Sequence, residues 1–225
     1  MHFPLFVDLT DKPCLVVGAG PVAARKVRIL ADFGARVTVV APAEGGVCRG
    51  GVPACRGGVP AAPERNFAKF LSWGGEDASP TKLDSSASPT TASPTKLVFL
   101  CRPFQVSDIA VQTLVVAATD DAALNARIAS LCRAAGIPVN VVDDPANCTF
   151  LFPAIARKGP VVAAVSTGGA CPVATQVLRD RVEGLMTDRF CETVARLGAQ
   201  REQLKKEFPD PAARRDRMRK ELESC

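Results

Sequence analysis

The chain has 225 residues, of which 47% are apolar and 23% charged, with a formal charge of +5. This is ordinary globular composition, enough for one large or two small domains, and it excludes a fibrous or wholly disordered chain. No apolar run reaches the length of a transmembrane helix, and the opening MHFPLFVDLTDK lacks a basic region and a long apolar core, so we expect a cytoplasmic protein with no signal peptide and no membrane partner.

The first predicted element is a strand over Cys14–Val17, which meets Gly18-Ala19-Gly20 and then a helix-like segment. Strand, tight turn and helix start together make the front end of a dinucleotide-binding βαβ unit. Gly18 allows the turn, Gly20 lets the backbone approach a pyrophosphate, and Ala23 fills the third small position, where helix packs on strand. The first N–H groups of such a helix suit an anion. The same glycines also occur in nucleotide-free α/β turns, so the motif needs its context. The second strand, Val37–Val40, ends in Ala41-Pro42, with no acid or arginine at its tip to choose between NAD and NADP.

Residues 43–96 break the pattern. CRGGVPA occurs at Cys48–Ala54 and again at Cys55–Ala61, and ASPTKL, ASPTT and ASPTKL fill much of Ala78–Leu97. Such Gly/Pro/Ser/Thr-rich repeats bury too little apolar surface to offset chain entropy, so two disordered insertions are expected. Between them, Glu64–Trp73 has helical spacing of Phe67, Phe70 and Leu71.

Strands resume at Leu97–Cys101 and Thr113–Ala118. Thr119-Asp120-Asp121 then caps a helix over Ala122–Ala135, Gly136 closes it, and Pro138–Val142 is the next strand. This alternation predicts an α/β fold with a doubly wound parallel sheet, in which ligands sit at the carboxyl ends of strands. Thr119, Asn140 and Asp143 then share a rim with Gly18–Val22. A carboxylate at Asp143 could take a proton as a general base, whereas Asp144-Pro145 reads as a turn.

Beyond this point Thr149–Ile155 and Val161–Val165 read as strands around a basic turn, Ala156–Pro160. Ser166-Thr167-Gly168-Gly169 leads to a helix with Pro172 in its first turn. From Val173 to Glu223 the pattern is helical, broken near Pro209 and Pro211, with an apolar stripe of Val173, Val177, Leu178, Val182 and Leu185.

The side-chain inventory narrows the chemistry. The nine cysteines are odd in number, scattered and without C-x-x-C, so neither a cysteine metal site nor a disulfide framework is expected. The one histidine, His2, sits near a terminus, and tyrosine is absent, which excludes a tyrosine–lysine catalytic pair. No metal-binding set is read. Basic residues gather after Arg179, notably in RRDRMRK at Arg214–Lys220. A solvated helix face accounts for them, and no RNA-binding signature accompanies them, so no nucleic acid is expected.

Several blocks together carry a family resemblance: FPLFVDLTDKPCLVVGAGPVAARKVRIL at Phe3–Leu30, RPF at Arg102–Phe104, AATDDAALNARI at Ala117–Ile128, NVVDDP at Asn140–Pro145 and FLFPAIARKGPVVAAVSTGGACPV at Phe150–Val173. In order and spacing they resemble the precorrin-2 dehydrogenase / sirohydrochlorin ferrochelatase family, the siroheme synthase module without its methyltransferase domain. The resemblance spans nearly everything outside 43–96.

The resemblance implies NAD-dependent oxidation of precorrin-2 to sirohydrochlorin by a homodimer. It implies a Rossmann-like NAD domain over 1–148, a dimerisation region over 149–171 and a helical domain over 172–225. The family's important aspartate falls on Asp143. Cofactor contacts fall on Gly18, Gly20, Pro21, Val22, Pro42 and Ala43, with Thr119 a further candidate. Asn140, Ser166, Thr167, Gly168 and Gly169 are candidate substrate contacts. The eight carboxylates of precorrin-2 call for cations, for which Arg25, Lys26, Arg157 and Lys158 are candidates. Two alternatives stay open: a dual enzyme that also inserts Fe2+ into sirohydrochlorin, and a non-catalytic NAD sensor.

Overall fold

Five strands line up in the order β6-β2-β1-β7-β8, every neighbouring pair parallel. They are β1 (Pro13–Val17), β2 (Arg36–Val40), β6 (Leu97–Leu100), β7 (Leu114–Ala117) and β8 (Val139–Val141). The computed structural model describes residues 2–44, 47–48, 52–53 and 97–225. The chain divides into two compact units, with the boundary between Phe152 and Pro153.

In the first unit β1 is central, and its Cys14, Leu15 and Val16 are fully buried. A parallel strand is covered on both faces, which is why β1 and β7 read as unbroken apolar runs rather than alternating ones. Odd and even positions feed different cores. Cys14 and Val16 pack with Ala23, Val27 and Leu30 of α1 (Pro21–Asp32). Leu15 and Val17 pack with Ile128, Ala129 and Cys132 of α2 (Ala122–Ala134). Each fully buried Val or Leu contributes roughly 1.5–3 kcal/mol. Ala23 is among the fully buried residues, as its place in the glycine motif predicts.

The crossover from β6 to β7 carries no α-helix. It runs through a 3-10 turn at Val106–Ile109, held by Arg102. Both Arg102 Nη atoms donate to the Asp108 carboxylate, at 2.8 and 2.5 Å, and the Gln105 N–H reaches the same carboxylate at 2.8 Å. The outer edge of β8 is closed by Thr149, whose N–H donates to Val139 O at 2.8 Å while its Oγ1 accepts from Val139 N at 2.8 Å.

Three departures from the sequence reading belong here. First, β3 (Ala43–Glu44), β4 (Val47–Cys48) and β5 (Val52–Pro53) form a small antiparallel sheet inside the stretch expected to lack fixed structure. Their two-residue lengths leave no period for sequence to show. The helix expected over Glu64–Trp73 and the Ala78–Leu97 repeats up to residue 96 lie outside the described residues. Second, Cys101 is disulfide-bonded, against the expected absence of a disulfide framework. Linear spacing says nothing about thiols that the fold brings together. Third, the strand expected at Thr149–Ile155 is displaced. Phe150 and Phe152 instead pack against the first unit's core.

In the second unit β9 (Ala154–Lys158) pairs antiparallel with β10 (Val161–Val165). Arg157 and Lys158 are therefore strand residues, and the turn shrinks to Gly159-Pro160. Gly159 adopts φ 54°, the positive φ that a two-residue hairpin turn requires. Four helices follow: α3 (Pro172–Leu185), α4 (Asp188–Ala199), α5 (Arg201–Glu207) and α6 (Pro211–Glu223). Pro172 and Pro211 each open a helix, as a residue without an N–H does at no cost. A break at Met186-Thr187, unforeseen from the pattern, comes from Thr187, whose side chain caps α4 through the Phe190 N–H at 3.1 Å. Ala156, Met186 and Cys191 form the buried cluster, with Val182 packed on it.

Among the described residues, no helix is long and apolar enough to cross a membrane.

Candidate functional site

Strand order reverses direction between β1 and β7, since β2 lies on one side of β1 and β7 on the other. At such a switch point the loops leaving the carboxyl ends part and leave a crevice for a dinucleotide. The parallel ladder continues one residue past the strands: Gly18 N donates to Val40 O, Ala118 N to Val17 O and Val142 N to Ala117 O, at 2.8, 2.8 and 2.9 Å. These bonds set Gly18, Ala118 and Val142 on one rim, with Thr119 and Asp143 as the next residues.

The two motif glycines have different surroundings. Gly18 has φ +113°, and a Cβ there would lie 2.1 Å from Ala118 O and 3.2 Å from Thr119 N. It is the point where the turn after β1 rests on the end of β7. Gly20 has an ordinary φ of −77° and nothing within 4 Å of a Cβ. It is the N-cap of α1, and neither a side-chain cap nor an acidic residue occupies that helix start. An uncapped helix N-terminus behind a glycine that opens onto free space fits a pyrophosphate by its N–H groups and its dipole. Pro21, at N1, and the half-buried Val22 follow in the same turn, whereas Pro42, beyond β2, is exposed. Ala43 stands in β3.

Thr119 is held rather than loose. Its Oγ1 donates to Asn125 Oδ1 at 2.7 Å, its N–H shares that oxygen at 3.3 Å, and its carbonyl accepts from Asn125 Nδ2 at 2.9 Å. Asn125 is only 7% exposed. Sequence reasoning missed it, because an Asn in the first turns of a helix carries no periodic signal. Asp121 caps the same helix, accepting from Leu124 N at 3.0 Å, as its place in the Thr-Asp-Asp run predicts.

Asp143 is exposed and has φ 59°, in the left-handed region. It lies past β8, two strand spacings from β1, or about 10 Å. Its neighbour Asp144 is a turn residue, accepting from Asn147 N at 3.2 Å and Asn147 Nδ2 at 2.6 Å. Asn140 is buried in β8, and its amide donates to Phe150 O at 3.1 Å. Its side chain thus fixes the segment that returns past Asp143.

Of the candidate cations, Lys26 stands over the Phe152 ring, 4.1 Å from its centroid. Burial and the neighbouring Arg25 charge hold its pKa below the usual lysine value. Lys158 pairs with Asp188 at 2.7 Å. Arg25 is exposed. Burial pushes the Cys14 and Cys132 thiols up to about 11, so neither supplies a thiolate nucleophile near neutral pH.

In the second unit, Ser166–Gly169 form the lead-in to α3. Thr167 Oγ1 accepts from Cys171 N at 3.1 Å and lies 2.9 Å from Thr175 Oγ1. Ser166 Oγ accepts from Gly168 N at 3.1 Å. Gly168 and Gly169, at φ 64° and 88°, face open space.

The chain is 38% identical over 224 residues to a protein named siroheme synthase from Methylococcus capsulatus strain Bath, covering 99% of this chain and 38% of that one. It is 38% identical over 216 residues to a siroheme synthase from Nitrosospira multiformis, covering 96% of this chain and 38% of the relative. The chain therefore spans well under half the length of these relatives. Among solved structures, SirC, a precorrin-2 dehydrogenase, shares the fold with TM-score 0.54 and 19% identity, over 99% of this chain and 98% of that one. A family model described as Putative NAD(P)-binding matches residues 5–154, the span that holds the whole parallel sheet. The chain belongs to this putative NAD(P)-binding family.

Proposed function

We propose that the chain is a precorrin-2 dehydrogenase, oxidising precorrin-2 to sirohydrochlorin with NAD. The observation that carries this reading is the shared rim, with the uncapped start of α1 at Gly20 on one strand and Asp143 two strands away. A dinucleotide held at the start of α1 would lie on the same rim as Asp143. The relatives named siroheme synthase support the same reaction.

NAD supplies a hydride acceptor. Gly18, Gly20, Pro21 and Val22 would hold it at the turn after β1, with Pro42 and Ala43 after β2 and Thr119 after β7 as further contacts. Asp143 takes the proton as hydride leaves the macrocycle, so that two electrons and two hydrogens are accounted for. Arg25 and Lys26 are the cations of this unit offered to the substrate's carboxylates. Asn140 acts on substrate only through the segment that it fixes.

We further read the chain as a homodimer of the cytoplasm. On α3, Val173, Val177, Leu178 and Leu185 are 67, 44, 44 and 75% exposed, an apolar stripe that a second copy would cover. Val182 alone of that stripe packs inward.

Anaerobic turnover of precorrin-2 with NAD, followed by sirohydrochlorin absorbance, tests the activity. NAD-dependent product formation is expected. No product, with NAD still bound by calorimetry, would leave a dinucleotide sensor instead. Sedimentation of the chain tests the dimer, and a monomer at micromolar concentration would remove it.

A further inference from the structure

We propose that Cys148 is the positioning residue for Asp143, its thiol tying both ends of the turn that presents the carboxylate. This rests on the reading of Asp143 as the base. A non-glycine residue in the left-handed region carries strain, which persists only where its surroundings hold it. Asp143, at φ 59°, is such a residue, and it is exposed, so no packing of its own side chain fixes it.

The sulfur supplies that hold. On the turn's near side, Val141 N donates to Cys148 Sγ at 3.1 Å, and Asn140 Nδ2 approaches the same atom at 3.5 Å. The thiol proton is within reach of Val141 O at 3.2 Å and of Asp144 O at 3.3 Å, on the turn's far side. Val141 ends β8, and Asp144 follows Asp143 directly, so one atom grips the chain before and after the carboxylate. The sulfur itself is anchored. Thr149 binds the β8 edge, and Phe150 and Phe152 pack into the core. Cys148 thereby couples the rigid sheet to the exposed turn. Removing the sulfur leaves the Val141 N–H and the Asn140 amide short of an acceptor and frees Asp143 to relax.

The test is steady-state turnover of precorrin-2 with NAD by the Cys148→Ala, Cys148→Ser and Asp143→Asn chains, with NAD affinity measured by calorimetry. Displacing a catalytic group by about 1 Å costs on the order of ten- to a hundredfold in rate. Cys148→Ala should lose that much kcat, with KM and NAD affinity changed by less than about twofold. Cys148→Ser keeps a donor and an acceptor and should recover most of the loss. Parent-like kcat in Cys148→Ala, alongside an inactive Asp143→Asn, overturns the positioning role. Equal losses of NAD affinity and kcat also overturn it, because the thiol would then serve the sheet edge as a whole. Unchanged turnover in Asp143→Asn instead overturns the reading of Asp143 beneath it.

Discussion

A Cβ on Gly18 would fall 2.1 Å from the carbonyl oxygen of Ala118, so the turn after β1 and the end of β7 meet backbone to backbone. This contact sits at the point where strand order reverses, and it sets the floor of the crevice. Neither side is a flexible side chain that could give way. Gly18→Ala must open the β1–β7 contact as well as strain φ +113°. We expect a loss of about 3 kcal/mol or more, read as a large fall in thermal midpoint. A midpoint equal to the parent's would show that the rim is not fixed here.

Gly20→Ala should separate the two glycines. At φ −77° an alanine is unstrained, and its Cβ meets open space, so stability should be kept within about 0.5 kcal/mol. The same Cβ occupies the approach to the uncapped N-terminus of α1. NAD affinity should fall by about tenfold or more, roughly 1.4 kcal/mol. Calorimetric titration with NAD is the measurement, and parent-like affinity would move the pyrophosphate elsewhere.

Asn125 makes a different prediction, about a side chain that touches no ligand. Its amide donates to Thr119 O and its oxygen accepts from Thr119 Oγ1 and N, tying the first turn of α2 to the loop before it. Asn125→Ala leaves Thr119's backbone groups unpaired at a half-buried site, which costs about 1–3 kcal/mol. Both stability and NAD affinity should drop. Asn125→Asp should be worse than Asn125→Ala, because a carboxylate would face the Thr119 carbonyl. Denaturant unfolding of the two variants checks this, and the reverse order would show that Asn125 is not the clamp on Thr119.

Chain chemistry made much of the sheet legible. Leu15, Val16, Val39, Val115 and Val116 are apolar because both faces of a parallel strand are covered, and that requirement shows in sequence. Helix starts were legible where Pro172 or Asp121 stands at the first turn. Other features leave no such trace. The run Thr149–Ile155 reads as a strand, since packing into a core and pairing in a sheet select the same residues. Gly18 and Gly20 are visible as a spacing, yet one is needed for a backbone contact and the other opens onto space. Asn125 and Cys148 act by hydrogen bonds to distant backbone groups, and a single polar residue has no period. The 3-10 crossover at Val106–Ile109 stayed hidden because its start is fixed by Asp108, six residues from its partner Arg102.

That pair gives the last prediction, in pH. Burial works to raise the Asp108 pKa, but the Arg102 guanidinium and the Gln105 N–H outweigh it, and the carboxyl titrates below its ordinary value. A carboxyl depressed in the folded state stabilises above its unfolded pKa, about 3.9, and that contribution disappears as pH falls through the folded value. Asp108→Asn removes the charge and leaves Arg102 without its partner. The variant should be less stable than the parent by about 2 kcal/mol at pH 7, a figure set below that for fully buried pairs because Arg102 is partly exposed. Below pH 4 the gap should begin to narrow, since the unfolded parent's carboxyl is then protonated and unfolding takes up a proton, and it should close as the pH falls through the lower folded value. Other carboxyls with lowered values, Asp8, Asp210 and Glu221 among them, drive acid unfolding in both chains and cancel in the comparison. Urea unfolding of both proteins at pH 7 and pH 3 measures the gap. A difference that is constant across the two would mean that the Arg102–Asp108 contact stabilises by shape and not by charge.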